Sequence, residues 1–215
     1  MQQFDGWHLP DGETHLVEWM TKVGKIVNGR YSYQYSKLEA ALPLVKNWRC
    51  AIDVGGHVGL WTFHLAGMFQ TVEAFEPVAA HRECFAKNIT SPNVSLHACA
   101  LGAREGTVFL HTGPSSSGDT YISDAGEHAA PMKVMDDFGF TDVDFIKLDC
   151  EGYELFALRG GENTIREQKP CIIVEQKPGK GRQFGLGDQD AVTLLKSWGA
   201  EVVKEISGDF ICCWR

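Results

Sequence analysis

Acidic residues at the ends of apolar runs are where this 215-residue chain could do chemistry. The first is in Asp53-Val54-Gly55-Gly56-His57-Val58-Gly59, an acid followed by glycines two and six positions on. Gly55 permits a tight turn under a ligand and Gly59 a close approach of helix to strand, because neither carries a Cβ. A carboxylate at that strand end suits a cationic amino-acid group better than a phosphate, and the GxGxxG spacing that presents amides to a pyrophosphate is absent. Glu76-Pro77 ends the next apolar run, where a carboxylate can accept two ribose hydroxyls. Lys147, Asp149, Glu151 and Glu154 cluster about the end of a later run, and Glu175 with Lys177 about the end of another. Asp149 is placed to meet a cofactor's amino group or the reacting centre. Glu151 can position or deprotonate an acceptor hydroxyl, and Glu175 can share that role, because crowded carboxylates raise one another's pKa.

Plainer readings stand beside these. Asp53 and Glu76 could be solvated strand-end acids, Glu151 a helix-start carboxylate, and Glu175 the partner of Lys177. Asp149, Glu151 and Glu175 could hold magnesium through oxygen ligands, but no second ligand set is recognisable and no metal is expected. His57 could meet a ligand or only the backbone. Lys177-Pro-Gly-Lys-Gly-Arg182 lacks the P-loop spacing and reads as a solvated basic turn, or as a guide for an anionic acceptor. Tyr33, Gln34 and Tyr35 could close over a cofactor, but aromatic capping of the core is the plainer reading.

For the strand-end acids to meet, the runs must lie side by side. From Cys50 onward short apolar runs alternate with helical patterns, which predicts an α/β three-layer sandwich with a mostly parallel sheet. Strands are expected at 51–54, 71–75, 94–98, 144–148 and 171–175, and helices at about 58–69, 79–89 and 154–166. Residues 106–111 alternate like an added strand. The polar stretch 112–131 predicts a mobile loop long enough to be a lid. After a Gly-rich loop at 177–187, Asp188 or Asp190 can cap a helix that runs to Trp198 and stops at Gly199. The chain closes with strands at 201–206 and 210–214 joined by a turn too short for anything but antiparallel pairing. A parallel sheet that ends in such a hairpin matches the methyltransferase version of the dinucleotide-binding fold. Residues 1–50 read as an N-terminal cap of the same domain and 51–215 as its core.

Asp53 to Gly59, Ala74-Phe-Glu-Pro77, Ala98-Cys-Ala-Leu-Gly102 and above all Asp144-Phe-Ile-Lys-Leu-Asp-Cys-Glu-Gly-Tyr-Glu154 resemble the FkbM-type S-adenosylmethionine-dependent methyltransferases. The resemblance spans about residues 36–176. It implies a class I, Rossmann-like methyltransferase fold and methyl transfer to a hydroxyl oxygen of a sugar, polyketide or lipid-like acceptor. By the same resemblance Asp53, Gly55, Gly56, His57, Val58 and Gly59 would cradle the methionine part, Glu76 and Pro77 the ribose, and Cys99 and Ala100 the adenine. Family loops commonly show Ala-Asn where this chain has Gly56-His57.

The bulk composition narrows the partners. A net charge of −8 without a Lys/Arg run argues against nucleic acid; the resemblance implies a small-molecule or glycan acceptor. No stretch approaches the roughly 18 apolar residues of a membrane span, and Met1 to Asp5 lacks the basic flank and apolar centre of a signal peptide, so the protein is expected in the cytoplasm without membrane contact. Seven cysteines with no CxxC pair read as reduced core residues. Oligomeric state has no signature here. The competing readings are a nicotinamide-dependent oxidoreductase on a related fold, which the missing GxGxxG disfavours, and a non-catalytic protein that kept the pocket.

Overall fold

The computed structural model describes residues 1–113 and 116–215. The N-terminal stretch forms strands β1 (Gln2–Phe4) and β2 (Trp7–Leu9), helix α1 (His15–Val23), strands β3 (Ile26–Val27) and β4 (Arg30–Tyr31), and helix α2 (Tyr35–Ala41). Its two hairpins turn at Asp5-Gly6 and Asn28-Gly29, all four residues at positive φ, the backbone that two-residue hairpin turns require. Trp7, Leu9, Leu16 and Met20 then bury themselves against Val58, Leu60 and Cys84.

From Cys50 strands and helices alternate: β5 (Cys50–Val54), α3 (Leu60–Ala66), β6 (Thr71–Phe75), α4 (Ala79–Asn88) and β7 (Val94–His97). Strands β8 (Ala100–Leu101), β9 (Gly106–His111), β10 (Tyr121–Ile122) and β11 (His128–Lys133) follow. The chain ends with β12 (Val143–Leu148), α5 (Glu154–Gly160), α6 (Glu162–Gln168), β13 (Cys171–Glu175), α7 (Asp190–Ser197), β14 (Glu201–Ile206) and β15 (Asp209–Cys213). The main sheet has the order β14-β15-β13-β12-β5-β6-β7, parallel except for β15, which runs antiparallel to both neighbours. Alternate residues face opposite sides. Ile52, Ile146, Leu148, Ile172 and Val174 pack on Leu155, Leu158, Ile165 and Leu195, and Ala51, Phe145 and Ile173 pack on Leu38, Trp61 and Leu65. The sheet is thus buried on both faces, as near-continuous apolar strands require. Strand order reverses between β5 and β12, which opens a crevice beyond their carboxyl ends.

Four expectations need correction. The stretch 112–131 is not one structureless loop. A short 3₁₀ turn at Ser117–Asp119, β10 and the start of β11 occupy it, because β9 offers both edges for pairing; Pro114 and Ser115 of that stretch lie outside the described residues. The helix expected from residue 58 starts at Leu60, since Gly59 lies at φ +92°. The helix expected over 154–166 breaks at Gly160-Gly161, where a Cβ on Gly160 would stand 2.1 Å from the Gly102 carbonyl oxygen. Neither Asp188 nor Asp190 caps α7. Their carboxylates accept the Gly179 and Gly187 N–H groups, and Gln176 Oε1 takes the Ala191 N–H.

One ion pair ties the N-terminal stretch to the closing hairpin. Lys37 of α2 contacts Asp209 of β15, with side chains 8% and 4% exposed. Removing one partner of a buried pair strands the other charge. Lys37→Met should therefore cost about 3–5 kcal/mol by urea unfolding, and adding Asp209→Leu should restore most of it; a single variant that loses under about 1 kcal/mol would contradict this assignment.

Candidate active site

The loop after β5 is shaped by backbone geometry. Gly55 sits at φ +80° and His57 at φ +49°. The Gly55 and Gly56 amides both donate to the Phe75 carbonyl, at 3.0 and 2.9 Å, which binds the loop to the end of β6. A Cβ on Gly55 would lie 2.0 Å from the Asp149 carbonyl oxygen, so this glycine lets the loop press on the end of β12. At Gly56 a Cβ would meet only ordinary contacts from 3.5 Å outward, so alanine would fit there.

Glu76 is 4% exposed and holds this loop. Its Oε2 accepts the His57 N–H at 2.8 Å, while Oε1 accepts the Val78 N–H at 2.7 Å and faces His81 Nδ1 at 3.2 Å. It is a structural acceptor as well as a cavity-lining one, with lone-pair capacity left on Oε2.

Asp53 is fully buried beside Lys147, its partner in the parallel β5–β12 register. Lys147 Nζ lies 3.3 Å from Asp53 Oδ1 and 3.9 Å from Asp149 Oδ2 and donates to the Gly55 carbonyl at 2.8 Å. Thr62 Oγ1 donates to Asp53 Oδ2 at 2.6 Å. Burial works against the Lys147 charge, but Asp53 and Asp149 overcome it and hold the ammonium above its usual range.

Asp149, Glu151 and Glu175 place carboxylate oxygens within 4.8 Å of one another. Lys177 contacts Glu175, and Lys180 contacts Glu151 and reaches Asp119 of the 3₁₀ turn at 3.3 Å. Burial raises Glu175 to about 9, aided by the Asp149 charge. Burial and Asp149 raise Glu151 too. Burial also acts to raise Asp149, but Lys147 and Lys177 overcome it and hold this group below its usual range. The environment thus separates one ionised acid from two reluctant ones. A divalent ion would compete with three ammonium groups for these oxygens.

These groups border a cavity at the crevice that encloses about 1190 Å³ up to its open mouth. Gly55, Gly56, His57, Glu76, Pro77, Cys99, Ala100, Asp149 and Glu151 line it. Asp53, Val58, Gly59 and Glu175 do not, which corrects their direct placement at the ligand. Asp53 lies inside its strand under Lys147 and Val58 points into the N-terminal cluster. A Cβ on Gly59 would strike Ile89 at 2.6 Å, and Glu175 is 2% exposed behind Lys177. Within the basic turn Lys177 and Lys180 fold onto acids, while Arg182 stays exposed to solvent.

Lys147, His81, Ser117 and Tyr153, all on the cavity wall, carry no site role in the sequence pattern. The available signal was a lysine alternating with acids in Lys147-Leu-Asp149-Cys-Glu151. Tyr33 lines the cavity with its phenol raised to about 12 by burial and by Asp149.

The fold is the Rossmann-like fold of a methyltransferase. Residues 53–202 match the FkbM methyltransferase domain, and the chain belongs to that family. It is 26% identical to Methyltransferase 1 of Beauveria bassiana over 72% of this chain and 73% of that protein. Its fold is similar to Methyltransferase FkbM from Methylobacillus flagellatus KT, at TM-score 0.57 and 19% identity over 92% of this chain. This chain spans half of the Methylobacillus chain, 50% of its length. A Streptococcus mutans protein crystallised with SAH is similar too, at TM-score 0.52 and 11% identity over 85% of this chain and 97% of that one. Among the described residues no helix is long and apolar enough to cross a membrane.

The raised Glu175 makes a pH prediction. A carboxyl whose folded pKa is about 9, against an ordinary 4.5, contributes stability that is complete below 4.5 and lost as pH rises through 9. Glu175→Gln keeps a neutral amide and removes that dependence. Between about pH 5 and 9 wild type should lose at least roughly 1.4 kcal/mol more stability than the variant; parallel profiles in chemical denaturation would refute the neutral carboxyl.

Proposed function

We propose that this protein transfers a methyl group from S-adenosylmethionine to a hydroxyl oxygen of a small-molecule, sugar or lipid-like acceptor, on a class I methyltransferase fold. The carrying observation is one cavity at the strand-order reversal, with Glu76 and the glycine loop on one wall and Asp149 and Glu151 on the other. The residues fit the nucleoside donor: Glu76 keeps acceptor capacity for ribose hydroxyls, Cys99 and Ala100 leave room for a flat ring, and Asp149 stays ionised to receive an ammonium group. Bound S-adenosylmethionine supplies an electrophilic methyl group.

The chain's part is to position and deprotonate. Glu151, raised in pKa and on the cavity wall, takes the proton of the acceptor hydroxyl as its oxygen attacks. Glu175 stands behind Asp149 and tunes it. Asp53 acts through Lys147, so it is a positioning residue. Alignment of the two reactants supplies much of the remaining acceleration, because displacement at a methyl carbon is in-line. Residues 1–50 are read as the cap of this same domain, since Tyr33 and His15 complete the cavity wall. Seven free cysteines support a reducing, cytoplasmic setting.

Calorimetry should show micromolar-range binding of S-adenosylhomocysteine, and radiolabelled methyl should pass to a component of a glycan or metabolite extract. Glu151→Gln should lower kcat by about 10²–10⁴ while keeping nucleoside affinity within about threefold. Loss of affinity with kcat preserved would reverse the role given to Glu151.

A further inference from the structure

With Glu13 accepting as a carboxylate, the hydrogen bonds around His57 set one arrangement of protons. Glu13, from the N-terminal stretch, is 3% exposed. Its Oε1 accepts the Leu16 N–H at 2.9 Å, and its Oε2 accepts both the Ser117 N–H at 2.7 Å and the Ser117 hydroxyl at 2.5 Å. With its proton given to Glu13, Ser117 Oγ is left to accept from His57 Nε2, 2.9 Å away. Nε2 therefore carries the ring proton. Burial, then His81 and Lys147, push this imidazole well below its usual pKa, so the ring is neutral and Nδ1 is a bare lone pair.

Two further observations place His57 at the ligand cavity. His57, Ser117 and Glu76 share the cavity wall. His57 also sits at φ +49°, a backbone that a bulky residue keeps only where its surroundings hold it, and here Glu76 Oε2 holds its amide. His81, edge-on to His57 with ring centroids 4.4 Å apart, is engaged with Glu76 Oε1 through its own Nδ1.

We propose that Glu13 and Ser117 form an ordered relay that fixes His57 as its Nε2–H tautomer, making Nδ1 a hydrogen-bond acceptor for the nucleoside part of the methyl donor beside Glu76. The same bonds clasp the 3₁₀ turn and the N-terminal segment onto the cofactor loop. This rests on the methyl-donor reading above. His57 contacts the ligand; Ser117 and Glu13 are positioning residues.

Long-range ¹H–¹⁵N correlation spectra of the histidines read the tautomer directly. Wild type should show His57 protonated at Nε2, with the Nδ1 resonance moving when S-adenosylhomocysteine is added. His57→Phe should weaken that ligand about tenfold, the scale of one hydrogen bond. Ser117→Ala should weaken it similarly and leave His57 as a mixture of tautomers. A wild-type Nδ1–H tautomer overturns the relay whatever the variants do, and unchanged affinity in His57→Phe overturns the acceptor role. The expected tautomer without any ligand binding in wild type would instead overturn the choice of ligand, and with it the methyl-donor reading.

Discussion

The ammonium group of Lys147 is what the site is built around. It is buried between two parallel strands, directly across from Asp53 in the β5–β12 register, and it reaches the Gly55 carbonyl and the Asp149 carboxylate as well. Burying an uncompensated ammonium would cost several kcal/mol. The group is tolerable only where acids from both strands surround it, so strand register, the path of the glycine loop and the direction of Asp149 are one constraint. A one-residue slip of β12 would turn Lys147 to the opposite face and leave Asp53 buried alone.

The surrounding charges extend the same logic outward. Lys177 and Lys180 come from the loop after β13 and turn inward onto Glu175 and Glu151, while Lys180 also reaches Asp119 on the turn that borders the cavity. Lys37 brings α2 onto Asp209, which pairs with Glu175 across β13 and β15. Four lysines thus offset five acids, Asp53, Asp149, Glu151, Glu175 and Asp209, in a region where few charges are exposed. Within that network Lys147 and Lys177 hold Asp149 low against its burial, while burial and the Asp149 charge hold Glu151 and Glu175 high, so neighbouring carboxyls can hold different protonation states.

Much of this was legible in the residues. Apolar runs with acids at their ends placed the central strands to within about a residue, and Gly55, Glu76, Asp149 and Glu151 all reached the cavity. What failed had particular causes. Asp53 looks in sequence like a strand-end contact, but it lies one residue inside the strand, where only the register reveals Lys147 as its partner. The strands within 112–131 are short and the segments around them carry Gly and Asp, and their pairing with β9 supplies the order that local propensity does not. Glu13 and Ser117 are 104 positions apart, and no pattern in either segment announces their contact. The lysines of the 177–187 loop look solvated in sequence because their acidic partners lie in other segments.

Binding of the nucleoside donor between the glycine loop and the end of β12, under the control of Lys147, is the central claim. A crystal structure with S-adenosylhomocysteine tests it most directly. The ribose hydroxyls should lie within hydrogen-bond distance of Glu76 and the amino group within reach of Asp149, with Lys147 still on Asp53 and Gly55. A ligand bound in the reverse sense, or one that displaces Lys147 from Asp53, would contradict the account.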